Sequence, residues 1–157
     1  MDALPPGDAA ADLKHWVGRS ETLHDEICAA PLRGLAATLD GGDFAPDNGT
    51  PVPPLAHWLY FLPRAPQSEL GEDGHPRRGG FLPPIALPRR MWAGGELEWA
   101  LDNPLRVGDV VERRSRIAAV TPKRGRSGEM VFVQVQHEVH NARGLCLSET
   151  HDIVYRA

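Results

Sequence analysis

The stretch whose reading decides the fold is Val131–Arg156, VFVQVQHEVHNARGLCLSETHDIVYR. Apolar and polar residues alternate through it with a period of two, the pattern of half-buried strands. Val131, Val133, Val135, His137 and Val139 take one face, and Phe132, Gln134, Gln136, Glu138 and His140 the other. Asn141-Ala142-Arg143-Gly144 reads as a hairpin turn. The return strand puts Leu145, Leu147, Glu149, His151, Ile153 and Tyr155 on one face. Upstream, Val110–Val120 makes another long strand, with Lys123-Arg124-Gly125-Arg126-Ser127-Gly128 as the loop after it, and Glu96–Leu101 a shorter one.

The chain before this meander is different. Leu13, Trp16 and Val17 recur at helical spacing after Asp8, a cap-type residue. Cys28, Leu32, Leu35, Ala36 and Leu39 share one face of a second, stronger helix, with Pro31 in its first turn and Gly41-Gly42 as its stop. Residues 43–91 hold most of the proline and are interrupted by His57–Leu62, a short apolar and aromatic strand. The proline-rich remainder reads as an ordered loop packed on the rest, since proline lowers the entropic cost of holding a shape. The expected organisation is one domain over residues 1–157: helical at 9–42, loop-rich at 43–91, a β-meander at 92–157. That is an α+β architecture with a helix laid across a long antiparallel sheet.

Composition narrows the function classes. The 157 residues carry 17 Lys+Arg against 21 Asp+Glu, a formal charge of −4, which argues against a dedicated nucleic-acid binder. The basic residues Arg113, Arg114, Arg116, Lys123, Arg124 and Arg126 read as a solvated hairpin end. No apolar run is long enough to span a bilayer, and the Met1–Pro6 start has no signal-peptide pattern. Cys28 and Cys146 are too few for a disulfide framework. The expectation is a soluble cytoplasmic protein.

Six blocks, in order along the chain, carry a resemblance: Trp16-Val17-Gly18-Arg19, Ala36-Ala37-Thr38-Leu39-Asp40, His57-Trp58-Leu59-Tyr60-Phe61-Leu62-Pro63, Leu70-Gly71-Glu72-Asp73-Gly74-His75-Pro76, Leu87-Pro88-Arg89-Arg90-Met91-Trp92-Ala93-Gly94-Gly95 and Pro104-Leu105-Arg106-Val107-Gly108-Asp109. Together they resemble the N-terminal hot-dog half of the MaoC-like dehydratases, the family of mesaconyl-C4-CoA hydratase and the type 2 hydroxyacyl-thioester dehydratases. The resemblance implies a hot-dog fold, a long antiparallel sheet wrapped around a central α-helix. In that family the catalytic Asp and His lie in the C-terminal half, within a Gly-Asp-x-Asn-Pro-x-His motif. This chain departs from that pattern: Leu101-Asp102-Asn103-Pro104-Leu105-Arg106 lacks the spacer and has Arg106 near the place of the His. It reads as a turn before a strand.

Hydration of an α,β-unsaturated thioester needs a base, an acid and a donor for the thioester oxygen. Glu149 and His151 are the candidate pair in this chain, as adjacent same-face strand positions; a polar pair at a strand edge or subunit seam is the alternative. His24-Asp25-Glu26 reads as solvated cap residues of the apolar helix, Asp25 and Glu26 favourably placed for its dipole. His75, Arg77 and Arg78 form a basic loop suited to a CoA phosphate or a substrate carboxylate, or simply a solvated turn. Arg89, Arg90 and Trp92 precede two glycines, where guanidinium groups can grip an anion, or where a packed Trp merely closes a loop. His137 and His140 fall on opposite faces, so no metal site is expected.

The resemblance implies a hot-dog subunit of an acyl-CoA hydratase or dehydratase, a hydro-lyase whose catalytic motif is absent from this chain. A separate MaoC-type chain would supply the catalytic Asp and His, in a homo- or heterodimer with its sheets continuous. The expected ligand is a CoA thioester, with a short branched dicarboxylyl group such as mesaconyl, and no cofactor. The alternatives are a non-catalytic thioester-binding scaffold and an acyl-CoA thioesterase, since hot-dogs host both.

Overall fold

The computed structural model describes residues 13–72, 74–77, 79–125 and 128–157. Its five strands are β1 (Ser20–Glu26), β2 (Arg89–Trp99), β3 (Val110–Gly125), β4 (Gly128–Asn141) and β5 (Gly144–Arg156). They form one sheet in the order β1-β3-β4-β5-β2, every pair antiparallel. One α-helix, α1 (Ala29–Thr38), follows β1. No helix among the described residues is long and apolar enough to cross a membrane.

The alternation in β4 and β5 sets the inner face. Val131, Val133, Val135 and Val139 are buried, as are Leu147, Ile153 and Tyr155 opposite them. The turn between the strands is tied by its own side chain, the Arg143 N–H donating to Asn141 Oδ1 at 2.9 Å. Asn103, in the link from β2 to β3, clamps the same hairpin: its amide donates to Gly144 O at 3.2 Å and Leu145 O at 3.1 Å. Asp102-Asn103-Pro104 is therefore a structural turn.

Three expectations change. Of the first helix expected in that span, the described residues show Leu13 in α-helix and a 3-10 turn at Lys14–Trp16, and Asp8 lies outside them. Residues 20–26 are a strand instead, with Glu21, Leu23 and Asp25 turned inward. A single apolar side chain gives little strand signal, and pairing with β3 decides the conformation. His57–Leu62 is not a strand: Ala56–Leu59 is a 3-10 turn, and the buried His57, Tyr60 and Phe61 follow offsets of three and four. Lastly, β2 is longer than the 96–101 segment and leaves the meander, pairing with β5 at the far edge. Arg89, Arg90, Gly94 and Gly95 hide its period.

Helix α1 ends as its glycines require. Gly41 N–H donates to Ala36 O at 2.7 Å, and Gly42 takes a φ of 67°. Leu32 is fully buried and Leu35 half-buried, whereas Leu39 is 69% exposed. The helix thus covers part of the sheet and keeps part of its own apolar face open.

Two separate cores result. Leu32 packs with Ile27, Tyr60, Val111, Val139 and Leu147 under the helix. The proline-rich segment covers the other half: Ile85, with Phe81, Leu82 and Leu87, packs on Ile117, Val133, Ile153 and Tyr155. The loop is part of the core, and it sits beside the helix-covered region rather than over it.

Candidate functional site

Between the two cores the inward positions turn polar. Register aligns Glu21 of β1 with Ser115 of β3, Ser115 with His137 of β4, and His137 with Glu149 of β5. Four polar side chains thus cross four strands in one row. In the neighbouring rows stand Arg113, opposite Val139, and His151, opposite Val135. A polar row in an otherwise apolar face costs stability unless each group is satisfied, so such a row points to a site.

Ser115 Oγ and His137 Nδ1 share a hydrogen bond at 2.8 Å. Burial, and then the neighbouring Arg113 charge, push His137 down to about 4, so it is neutral at pH 7. Its ring centroid lies 6.2 Å from that of His151. Burial alone would raise Glu149, yet hydrogen bonds from His57 and Trp58 hold it below the usual carboxylate range.

Those two donors come from the 3-10 turn. His57 Nε2 lies 3.2 Å from Glu149 Oε2, and Trp58 Nε1 donates to Oε1 at 3.1 Å. A carboxylate only accepts, which assigns the shared proton to His57 Nε2. The turn is held in a strained frame, with Leu55 at φ 71° and Phe61 at φ 55° on either side. Asp25 anchors its end, accepting the Phe61 N–H at 2.7 Å, and lies 3.7 Å from Arg64. Tyr60 donates its hydroxyl to Cys28 O at 2.7 Å, tying the turn to the start of α1. Burial pushes that phenol up to about 12.

Two cavities flank the row. The larger, about 600 Å³, opens between the 75–83 loop and the sheet, with Glu21, Arg113, His137 and His151 in its wall. The smaller, about 220 Å³, is lined by His57, Trp58 and Glu149. Phe61, Pro63, Arg113 and His137 line both.

The structure brings most of the sequence-derived residues to this region. His75, Arg77, Arg90 and Trp92 line the larger cavity, Trp92 being 67% exposed. Arg89 is exposed and outside its lining. Arg78 lies outside the described residues. Glu149 and His151 do share the inner face, but Glu149 bonds His57 and Trp58, whereas His151 faces the larger cavity. With its oxygens engaged and its acidity increased, Glu149 is a poor general base near neutrality. His57 Nδ1 is buried and makes no hydrogen bond. His24–Glu26 is the end of β1, not a helix cap. Among the described residues no group of three or more His, Cys, Asp or Glu is placed to hold a metal ion.

Sequence reasoning missed Glu21, His57, Trp58, Arg113 and Ser115 as members of one site. Only the strand parity of His137, inward among valines, signalled it.

The comparisons with known proteins identify the family and the fold. The model of the family described as hydroxyacyl-thioester dehydratase type 2 matches residues 55–157. The chain is 49% identical over 148 residues to mesaconyl-C(4)-CoA hydratase of Chloroflexus aurantiacus, covering 94% of this chain and 52% of that protein. It therefore spans about half the length of the curated relative it matches. Among solved structures, a hot-dog-like protein from Thermanaerovibrio acidaminovorans is 11% identical with a TM-score of 0.54, covering 93% of this chain and 89% of that one. The ChsH1-ChsH2 complex from Mycobacterium tuberculosis is 15% identical with a TM-score of 0.56, covering 95% of this chain and 89% of that one. The fold is the hot-dog.

Proposed function

The chain belongs to the hydroxyacyl-thioester dehydratase type 2 family, and from that premise we propose that it is the acyl-binding hot-dog of an enoyl-CoA hydratase or dehydratase. The observation that carries this is the cleft of about 600 Å³, apolar along Phe61, Val135 and Ile153 and polar at His137 and His151. That size suits an acyl chain with part of its thioester carrier. Arg77, Arg90, His75 and Trp92, in the outer wall, suit the anionic carrier. Arg89, exposed on β2, lies outside that lining.

Among the described residues Glu149 is engaged by His57 and Trp58, and the Gly-Asp-x-Asn-Pro-x-His motif does not occur in this sequence. As the family resemblance implies, the catalytic Asp and His come from a MaoC-type hot-dog seated beside it, in a cytoplasmic assembly. Exposed Trp58 and Leu62, near the smaller cavity, and the unpaired edges of β1 and β2 suit such an assembly. The relative's name, mesaconyl-C(4)-CoA hydratase, supports a short branched dicarboxylyl thioester as substrate, with no cofactor beyond the CoA that the substrate carries.

The test is an assay of mesaconyl-CoA hydration by the purified chain, by a MaoC-type hot-dog carrying Gly-Asp-x-Asn-Pro-x-His, and by the two mixed. Turnover only in the mixture is the expected result. Turnover by this chain alone puts a catalytic pair here, and turnover in no combination leaves a binding module. Light scattering at micromolar concentration should show a dimer or larger; a monomer, alone and in the mixture, overturns the assembly.

A further inference from the structure

Among the described residues Arg113 has no ion-pair partner. Its guanidinium carbon lies 5.2 Å from the centre of the Phe61 ring, and its Nε is buried with no hydrogen-bond partner. The nearest acidic influences are Glu21 and Glu149, yet neither carboxylate comes within ion-pair distance among the described residues. The Glu149 oxygens are already bonded to His57 and Trp58. Arg113 lines both cavities, half-buried, where they share Phe61 and His137.

A half-buried guanidinium without an ion-pair partner is costly to keep, and buried charges are ordinarily paired. Its fork of donors matches a carboxylate bidentately. His137, tied to Ser115 at 2.8 Å, is placed beside it on the adjacent strand as a further polar wall. Among the described residues Glu21 is the one carboxylate in the lining of the larger cavity, and burial disfavours its anionic form.

We propose that Arg113 is the receptor for a carboxylate at the far end of the acyl group, which makes the ligands monothioesters of short dicarboxylic acids. The proposal rests on the acyl-thioester reading of the cleft. The apolar wall formed by Phe61 and Val135 takes the carbon chain, and Arg113 terminates it.

Calorimetric titration of succinyl-CoA and butyryl-CoA into the full chain tests this, because the two esters match in length and differ in the terminal carboxylate. The parent should prefer succinyl-CoA by about ten- to a hundredfold. Arg113→Met should abolish that preference and leave butyryl-CoA binding unchanged. Arg113→Lys should keep part of it. Equal binding of both esters by the parent, or a preference that survives Arg113→Met, overturns the carboxylate receptor alone. If neither ester binds the parent, the thioester reading falls and the receptor with it. Thermal melts separate a structural role: both variants should melt at or above the parent, whereas loss of folding in both makes Arg113 structural and overturns the proposal.

Discussion

His57 and Glu149 stand 92 positions apart in sequence and meet at 3.2 Å, joining the 3-10 turn to the centre of β5. The pair fixes a strained segment against the sheet and occupies the carboxylate that alternation had offered as a base. Replacing Glu149 with Ala should leave the buried His57 N–H without an acceptor, a cost of about 1–3 kcal/mol. Urea unfolding should show a lower midpoint at an unchanged slope. A variant as stable as its parent would mean that the turn does not depend on this contact.

The buried imidazole of His137 makes stability depend on acid. Folding holds it at about 4 against an ordinary 6.5. As pH falls through that window the unfolded chain takes up the proton first, so stability is lost between about 6.5 and about 4. Above it both states are neutral and His137 has no effect. The parent melting temperature should fall more steeply across this range than that of His137→Gln, which retains a partner for Ser115. Parallel profiles would show that another group dominates.

Arg89 and Arg90 should separate in function as they do in space. Arg90→Met is expected to weaken binding of CoA esters by roughly ten- to a hundredfold, the scale of a charge-assisted hydrogen bond. Arg89→Met, outside the cleft, should bind like the parent. The opposite ranking by calorimetry would move the anion contact to the solvent side of β2.

Gly95 is constrained by contact. A Cβ there would lie 2.7 Å from Thr150 O, a backbone atom on the paired strand that cannot swing aside. Gly95→Ala should therefore displace β2 from β5 and destabilise the chain by about 1–3 kcal/mol. Faster hydrogen exchange confined to residues 89–99 would report it, and unchanged protection there would contradict the tight approach.

The strands β3, β4 and β5 were legible in the sequence because period-two alternation is local information. So was the apolar helix with its proline start and glycine stop. The strand β1 was not, since Ser20–Glu26 holds one apolar inward residue and owes its conformation to β3. The edge position of β2 is likewise a matter of pairing, which no local pattern carries. The site followed the same division. Glu149, His151, His75, Arg90 and Trp92 stood out as chemistry in a readable local frame. Arg113 looked like one arginine among several in a basic run, and His57 like part of an aromatic strand. Their meeting depends on strand register and on a loop that crosses the sheet.

The strand order also sets a timetable. Both edges of the sheet, β1 and β2, are encoded before residue 100, and the centre follows from Val110 onward. A ribosome delivers β2 before β5 exists, and at roughly 5–20 residues per second the wait lasts several seconds. During that time Trp92 and Trp99 have no strand to lie against. The later segment, β3 to β5, is two consecutive hairpins that need only near neighbours. The pairing partners of the two edge strands, β3 for β1 and β5 for β2, thus both follow them in the sequence.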